Sequence, residues 1–110
     1  MSALAITPVR RGEVYWVNLD PTVGREVKKR RPAVILSPDE MNRGLQVVIV
    51  APITSSSKPW PTRVDFILSG KPAQMMLDQI RTVDKSRLTK RITTVEVDEA
   101  LAALQIMFAP

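Results

Sequence analysis

Three short polar stretches hold the residues with which this chain could do chemistry: Glu26 to Arg31, Thr54 to Trp60, and Asp78 to Arg81. Arg31 ends the cationic run Lys28-Lys29-Arg30-Arg31 and stands directly before Pro32 and the apolar run Ala33-Val34-Ile35-Leu36. A guanidinium at the mouth of a rigid element offers a planar fork of donors, a shape suited to phosphate. The hydroxyls of Thr54 and Ser55 can bond a non-bridging phosphate oxygen. Arginine stays protonated, so a carboxylate is the easier proton acceptor, and Glu26 and Asp78 are the candidates. If the anion is an RNA phosphodiester, attack by its own 2′-hydroxyl needs three things: a base, neutralised charge on the phosphorane, and a proton for the leaving 5′-oxygen.

Composition narrows the classes. The 110 residues include no cysteine and no histidine, so disulfides, thiolate cages and imidazole bases are excluded, and neither a metal nor another cofactor is expected. A length of 110 residues with 45% hydrophobic content fits one domain, 1–110, of cytoplasmic type, with residues 1–9 as a flexible lead-in. The formal charge of +5 points to an anionic partner, either nucleic acid or an acidic protein segment. A membrane is not expected as a partner: no run is long and apolar enough to cross one, the N-terminus lacks a basic region ahead of its apolar residues, and no helix pairs a basic face with a strong apolar one.

Positioning those groups falls to short strands. Val14 to Leu19 reads as the first, Ala33 to Leu36 as a buried second, Gln46 to Ile53 as a central third, and Thr62 to Leu68 as a fourth. Met75-Met76-Leu77 and Gln79 to Val83 supply one or two more around Asp78, and a short strand lies near Thr93 to Val97. Ser37 is expected to cap a helical turn over Pro38 to Asn42, and Asp98 to cap a terminal helix with Leu101, Leu104 and Phe108 on one face. The long connection from Asp20 to Arg31 is the kind that compact domains keep for function or leave disordered. The sum is a mainly β fold, a small bent antiparallel sheet or partly open barrel with a C-terminal α-helix. Adjacent strand ends in such a barrel share a rim, so the three polar stretches can converge.

Each stretch also has a plainer reading. Lys28 to Arg31 can be a solvated loop, Thr54 to Ser57 an ordinary turn, Asp78 a paired structural carboxylate, and Met75 and Met76 core or interface filler. Trp60, set between two prolines, is better explained as a lid on the core than as a platform for a base.

Arg11-Gly12-Glu13-Val14-Tyr15-Trp16-Val17, Asp20-Pro21-Thr22-Val23-Gly24, Arg31-Pro32-Ala33-Val34-Ile35-Leu36-Ser37, Ile53-Thr54-Ser55 and Asp78-Gln79-Ile80-Arg81-Thr82, in that order, resemble the MazF/PemK toxin endoribonucleases. The resemblance runs from about Arg11 to the terminal helix. It implies an SH3-like barrel, a homodimer, and metal-independent, sequence-specific cleavage of single-stranded RNA to 2′,3′-cyclic phosphate and 5′-hydroxyl ends. It also implies a cognate antitoxin with an acidic, disordered tail. By the same likeness Arg31 and Thr54 are the catalytic pair, with Glu26 assisting. Arg25, Lys28, Arg30, Ser55, Ser56, Trp60, Asp78, Gln79 and Arg81 are the expected RNA contacts. Some members carry a His where this chain has Arg25 and an Arg where it has Met76, so that version of the site is closed to it. A non-catalytic gyrase poison of the CcdB type and an inactive nucleic-acid-binding barrel are the alternatives. The ending Met107-Phe108-Ala109-Pro110 lacks the Trp-Gly-Ile terminus expected of the former.

Overall fold

β-branched runs make the strands, and one of them divides the molecule. The computed structural model describes residues 8–110. Its elements are β1 (Glu13–Asn18), β2 (Arg30–Ile35), α1 (Asp39–Gly44), β3 (Val47–Thr54), β4 (Arg63–Leu68), β5 (Lys71–Met76), β6 (Arg81–Asp84), β7 (Leu88–Thr94) and α2 (Asp98–Met107). The strands pair antiparallel in the order β4-β5-β3-β2-β1-β7, with β6 also on β3. β3 is therefore shared. Its first half carries β6, with Val50 opposite Arg81, and its last residues carry β5, with Thr54 opposite Gln74. The four steps from Val50 to Thr54 match seven on the facing chain, so Leu77–Gln79 are left over and form a single 3-10 turn. That turn swings Asp78 and Gln79 out of the ladder.

Alternation along the strands sorts side chains into two cores. Tyr15, Val17, Leu19, Ala33, Ile35, Val48, Val50 and Val83 pack on one face of the bent sheet. Val14, Val34, Leu36, Ala51, Ile53, Val64, Met75 and Leu77 pack on the other, where α2 brings Ala100 and, partly buried, Leu101 and Leu104. Burying each such Val, Ile or Leu is worth about 1.5–3 kcal/mol over leaving it exposed. Gly12 joins β1 to both neighbours: its N–H donates to Ile35 O (2.8 Å) and its carbonyl accepts from Val95 N (2.8 Å). A Cβ there would stand 2.8 Å from Val95 O at a φ of +92°, so only glycine fits without a shift.

Several boundaries differ from the sequence reading, each for a packing reason. β2 begins at Arg30, so Arg30 and Arg31 lie within the strand, held by pairing with Asn18 and Val17 of β1. The last strand is Leu88–Thr94 instead of Thr93 to Val97, because β1 extends its ladder from Val17 to Glu13 along it. Ser37 does not cap α1; its hydroxyl donates to Asn42 Oδ1 (2.6 Å) and accepts from Ile49 N (3.0 Å), and Pro38 takes the cap position. Asp98 is likewise the first residue of α2 and not its cap, since buried Val97 enters the core and occupies that position. Phe108 leaves the apolar face of α2 and is 70% exposed. Met75 and Met76 are both buried within the chain, which settles them as core. Of the expected lead-in, residues 1–7 lie outside the described residues, whereas Val9 is buried against Tyr15 and its neighbours. Among the described residues no helix is long and apolar enough to cross a membrane.

Candidate active site

The β2–β3 ladder pairs Ile35 with Val50, Val34 with Ala51 and Ala33 with Pro52, and stops there. Continuing that register two residues sets Arg31 across from Thr54, on the face that carries Ala33 and Pro52. Beyond Pro52, β3 turns its pairing to β5, where Ile53 meets Met75 and Thr54 meets Gln74. The sheet thus forks between a guanidinium and a hydroxyl. Thr54 is buried at 8% exposure, and its Oγ1 accepts the Ser56 N–H at 3.1 Å, which leaves the hydroxyl proton free to donate away from the backbone. Arg31 is half-buried, and its Nε points back to Lys28 O at 3.4 Å, a long contact that a stronger acceptor would displace.

The connection from β1 to β2 is pinned where it closes. Lys29 holds a left-handed φ of 67°, rare outside glycine. Its N–H donates to Asp20 Oδ1 (2.9 Å), and its carbonyl accepts from Leu19 N (2.9 Å). Arg81 Nη1 also reaches Leu19 O (3.0 Å), and Gln79 Oε1 accepts from Val27 N (3.3 Å). Between this loop and the 3-10 turn lies a cleft of about 520 Å³ lined by Val23, Arg25, Glu26, Val27, Pro52, Asp78, Gln79, Ile80 and Arg81. Glu26 is exposed in it, with Oε1 taking the Val23 N–H at 2.6 Å. Pro52 joins this cleft to the fork, because it shares a face of β3 with Thr54 two residues on.

A second loop, residues 55–62, flanks the other side. Buried Gln74 clamps it: the amide oxygen accepts from Lys58 N (3.1 Å), and Nε2 donates to Lys58 O (3.0 Å) and Asp65 Oδ1 (2.8 Å). Trp60 is 47% exposed and is no lid on the core. Its ring meets two cations instead, the Arg63 guanidinium 4.6 Å and Lys58 Nζ 5.6 Å from its centroid. Arg63 also grips Asp78, with Nε–Oδ1 at 2.8 Å and Nη2–Oδ2 at 3.3 Å, and Thr62 Oγ1 adds a bond to Oδ1 (3.2 Å). Burial alone would raise the Asp78 pKa, but the bonds from Arg63 and Thr62 and its own backbone outweigh it and hold the carboxyl below the usual aspartate value. Asp78 is thus the paired structural carboxylate of the plainer reading.

The expected residues divide accordingly. Arg31 and Thr54 flank the fork, one on β2 and the other on β3. Glu26, Arg25, Gln79, Asp78 and Arg81 line the cleft beside it. Lys28, Ser55, Ser56 and Trp60 are exposed on the flanking loops. Arg30 stands apart: alternation turns it to the opposite face from Arg31, over the Trp16 ring at 4.9 Å. Sequence reasoning passed over Gln74 and Arg63. Neither carries a local signal, since each acts on a loop that folding brings to it. Among the described residues no cluster of three or more His, Cys, Asp or Glu side chains has the geometry of a metal site.

The chain matches the family of PemK-like, MazF-like toxins of type II toxin–antitoxin systems over residues 10–108. It is 37% identical to Endoribonuclease EndoA of Bacillus subtilis, an alignment spanning 92% of this chain and 95% of that protein. It is 38% identical to Endoribonuclease MazF of Staphylococcus epidermidis over 84% of this chain and 88% of that one. The crystal structure of MazF from Deinococcus radiodurans superposes with a TM-score of 0.81 at 27% identity, covering 93% of this chain and 97% of the other. A MazE–MazF complex from the same organism superposes at 0.70 with 28% identity over 93% of each chain. The bent half-barrel with its C-terminal helix is the SH3-like architecture of these toxins.

Proposed function

This chain belongs to the PemK-like, MazF-like toxins of type II toxin–antitoxin systems, and from that premise we propose a sequence-specific endoribonuclease that cuts single-stranded RNA without a metal. What supports the reading is the family together with the fork: the β2–β3 register, continued past its last pair Ala33–Pro52, would bring Arg31 and Thr54 to one level where β3 leaves β2. A phosphodiester seated there takes the Arg31 fork on its non-bridging oxygens, displacing the long bond to Lys28 O. Charge that builds on the phosphorane is neutralised by that guanidinium and by the Thr54 hydroxyl. Glu26 takes the 2′-hydroxyl proton. It is a better base than Asp78, whose two oxygens are bound to Arg63 and whose pKa is held down. In-line attack forms the bond from the 2′-oxygen to phosphorus and breaks the bond to the 5′-oxygen, which takes a proton from solvent, giving a 2′,3′-cyclic phosphate and a 5′-hydroxyl. Arg25 and Arg81 in the cleft and Lys28 on the loop beside it supply phosphate contacts, and Gln79, Ser55, Ser56 and Trp60 serve flanking nucleotides.

The catalytic unit is one domain spanning the chain, and it works as a homodimer. An antitoxin silences it by laying an acidic segment over the same cations, in keeping with the net charge of +5 and with the MazE–MazF complexes among similar structures. The test is incubation of purified protein with a long unstructured RNA in EDTA, followed by mapping of the ends. Discrete cuts bearing cyclic phosphates are expected. Loss of cleavage on chelation overturns the metal-free mechanism, and salt-sensitive RNA binding without product marks an inactive barrel instead.

A further inference from the structure

Arg63 sits at a junction that neither the cleft lining nor the catalytic pair includes. Its side chain is 9% exposed, and its guanidinium has two engagements at once. One is the bidentate pair with Asp78, and the other is the Trp60 ring 4.6 Å away. Asp78 belongs to the 3-10 turn, and so does Gln79, whose side chain holds Val27 N. The next residue, Lys28, offers the carbonyl that receives Arg31 Nε. Backbone bonds close the other side: Arg63 N donates to Trp60 O (3.0 Å), and Leu77 N donates to Thr62 O (2.9 Å). One planar cation therefore ties the loop that follows Thr54 to the 3-10 turn, which in turn holds the loop that precedes Arg31 through Gln79.

We propose that Arg63 is a positioning residue that fixes the spacing of the two loops flanking the scissile phosphate, and with it the distance across the fork from Arg31 to Thr54. It does not touch substrate. The inference rests on the nuclease reading above and goes beyond it in assigning the device that aligns the reacting groups. Arg is required in place of Lys because only a guanidinium can bind both carboxylate oxygens while laying a flat face on an indole. The ion pair is partly shielded, so salt should weaken it less than it weakens the exposed phosphate contacts.

The test cuts this link at either end. Arg63→Lys keeps the charge but loses one arm and the flat face, and Asp78→Asn removes the partner. Single-turnover cleavage of an oligoribonucleotide containing a mapped site separates the rate at saturation from the half-saturating concentration. Each variant should lose about tenfold in the saturated rate with half-saturation within about twofold of wild type, and the double variant should be no slower than either single one. In a Trp16→Phe background both variants should also shift the Trp60 emission. A stabilising ion pair without a positioning role would lower the melting temperature yet leave the rate of folded protein untouched. Wild-type rates in either variant, additive losses in the double one, or a change confined to half-saturation overturns the inference while leaving the nuclease reading intact. A wild-type protein that cuts nothing overturns the nuclease reading instead. The emission then decides whether Arg63 holds the loop, and an unmoved spectrum rejects it.

Discussion

At its C-terminal end β2 passes into Leu36 and Ser37, where each polar group is spoken for. Gly12 N donates to Ile35 O (2.8 Å), Arg11 Nε to Leu36 O (2.8 Å), and Leu36 N to Ile49 O (2.9 Å). Ser37 and Asn42 are almost fully buried and bond each other twice, through Ser37 Oγ–Asn42 Oδ1 (2.6 Å) and Asn42 Nδ2–Ser37 O (3.0 Å). At the N-terminal end the same strand carries Arg31, whose guanidinium makes one long bond, and neighbouring β3 carries Thr54, whose hydroxyl proton is uncommitted. The two ends differ in what folding has already satisfied. A buried polar group must find its partners within the chain, so the Ser37 end is a structural joint. A cation and a hydroxyl left with bonding capacity can take a ligand, so the Arg31 end is the one on which the proposed function rests.

Substitutions at the two ends should therefore fail in different ways. Arg31→Ala should reduce kcat by about 10²–10³ with a much smaller change in KM and no loss of thermal stability, because its charge acts mainly on the transition state. Equal wild-type and variant rates in a cleavage time course would remove it from the site. Ser37→Ala should do the opposite. It leaves Asn42 Oδ1 and Ile49 N without their partner and should cost about 1–3 kcal/mol in urea unfolding, with kcat per folded molecule unchanged. A slower enzyme at unchanged stability would erase the distinction between the two ends.

The smallest expected effect is a pH dependence in the packed region. Burial first, and then the adjacent Glu13 carboxylate, push the Tyr15 phenol up from 10.0 to about 12. A folded pKa above the unfolded one means full stability below pH 10 and a decline as the pH rises toward 12, since only the unfolded chain ionises readily there. Tyr15→Phe should flatten that decline in melts across the window, and an unchanged slope would point to another group. Acid acts in the reverse sense on Asp78. Its depressed pKa gives stability present at neutral pH and lost as pH falls through the folded value.

Much of this arrangement is legible in the amino-acid order. The β-branched runs Ala33-Val34-Ile35 and Val47-Val48-Ile49-Val50 announce strands, and the Arg-Pro junction places a cation at a strand's mouth. Caps were less legible. Ser37 and Asp98 have the side chains for capping, yet a buried Asn42 claimed the first and a buried Val97 displaced the second. Trp60 reads as a core lid by its size and became a cation-flanked surface group because Arg63 and Lys58 stand beside it.

The amino-acid order by itself determined which segments extend, which faces bury and which chemistries are absent, because strand period, turn chemistry and the lack of His and Cys are local or compositional properties. Only the tertiary structure decided that β3 leaves β2 after Pro52, that Asp78 belongs to Arg63, and that Arg30 lies over the Trp16 ring. Those outcomes depend on strand register and on the three-residue excess that bulges Leu77–Gln79 out of the ladder. Register is settled by burial summed over the whole sheet, and no stretch of sequence holds that sum alone.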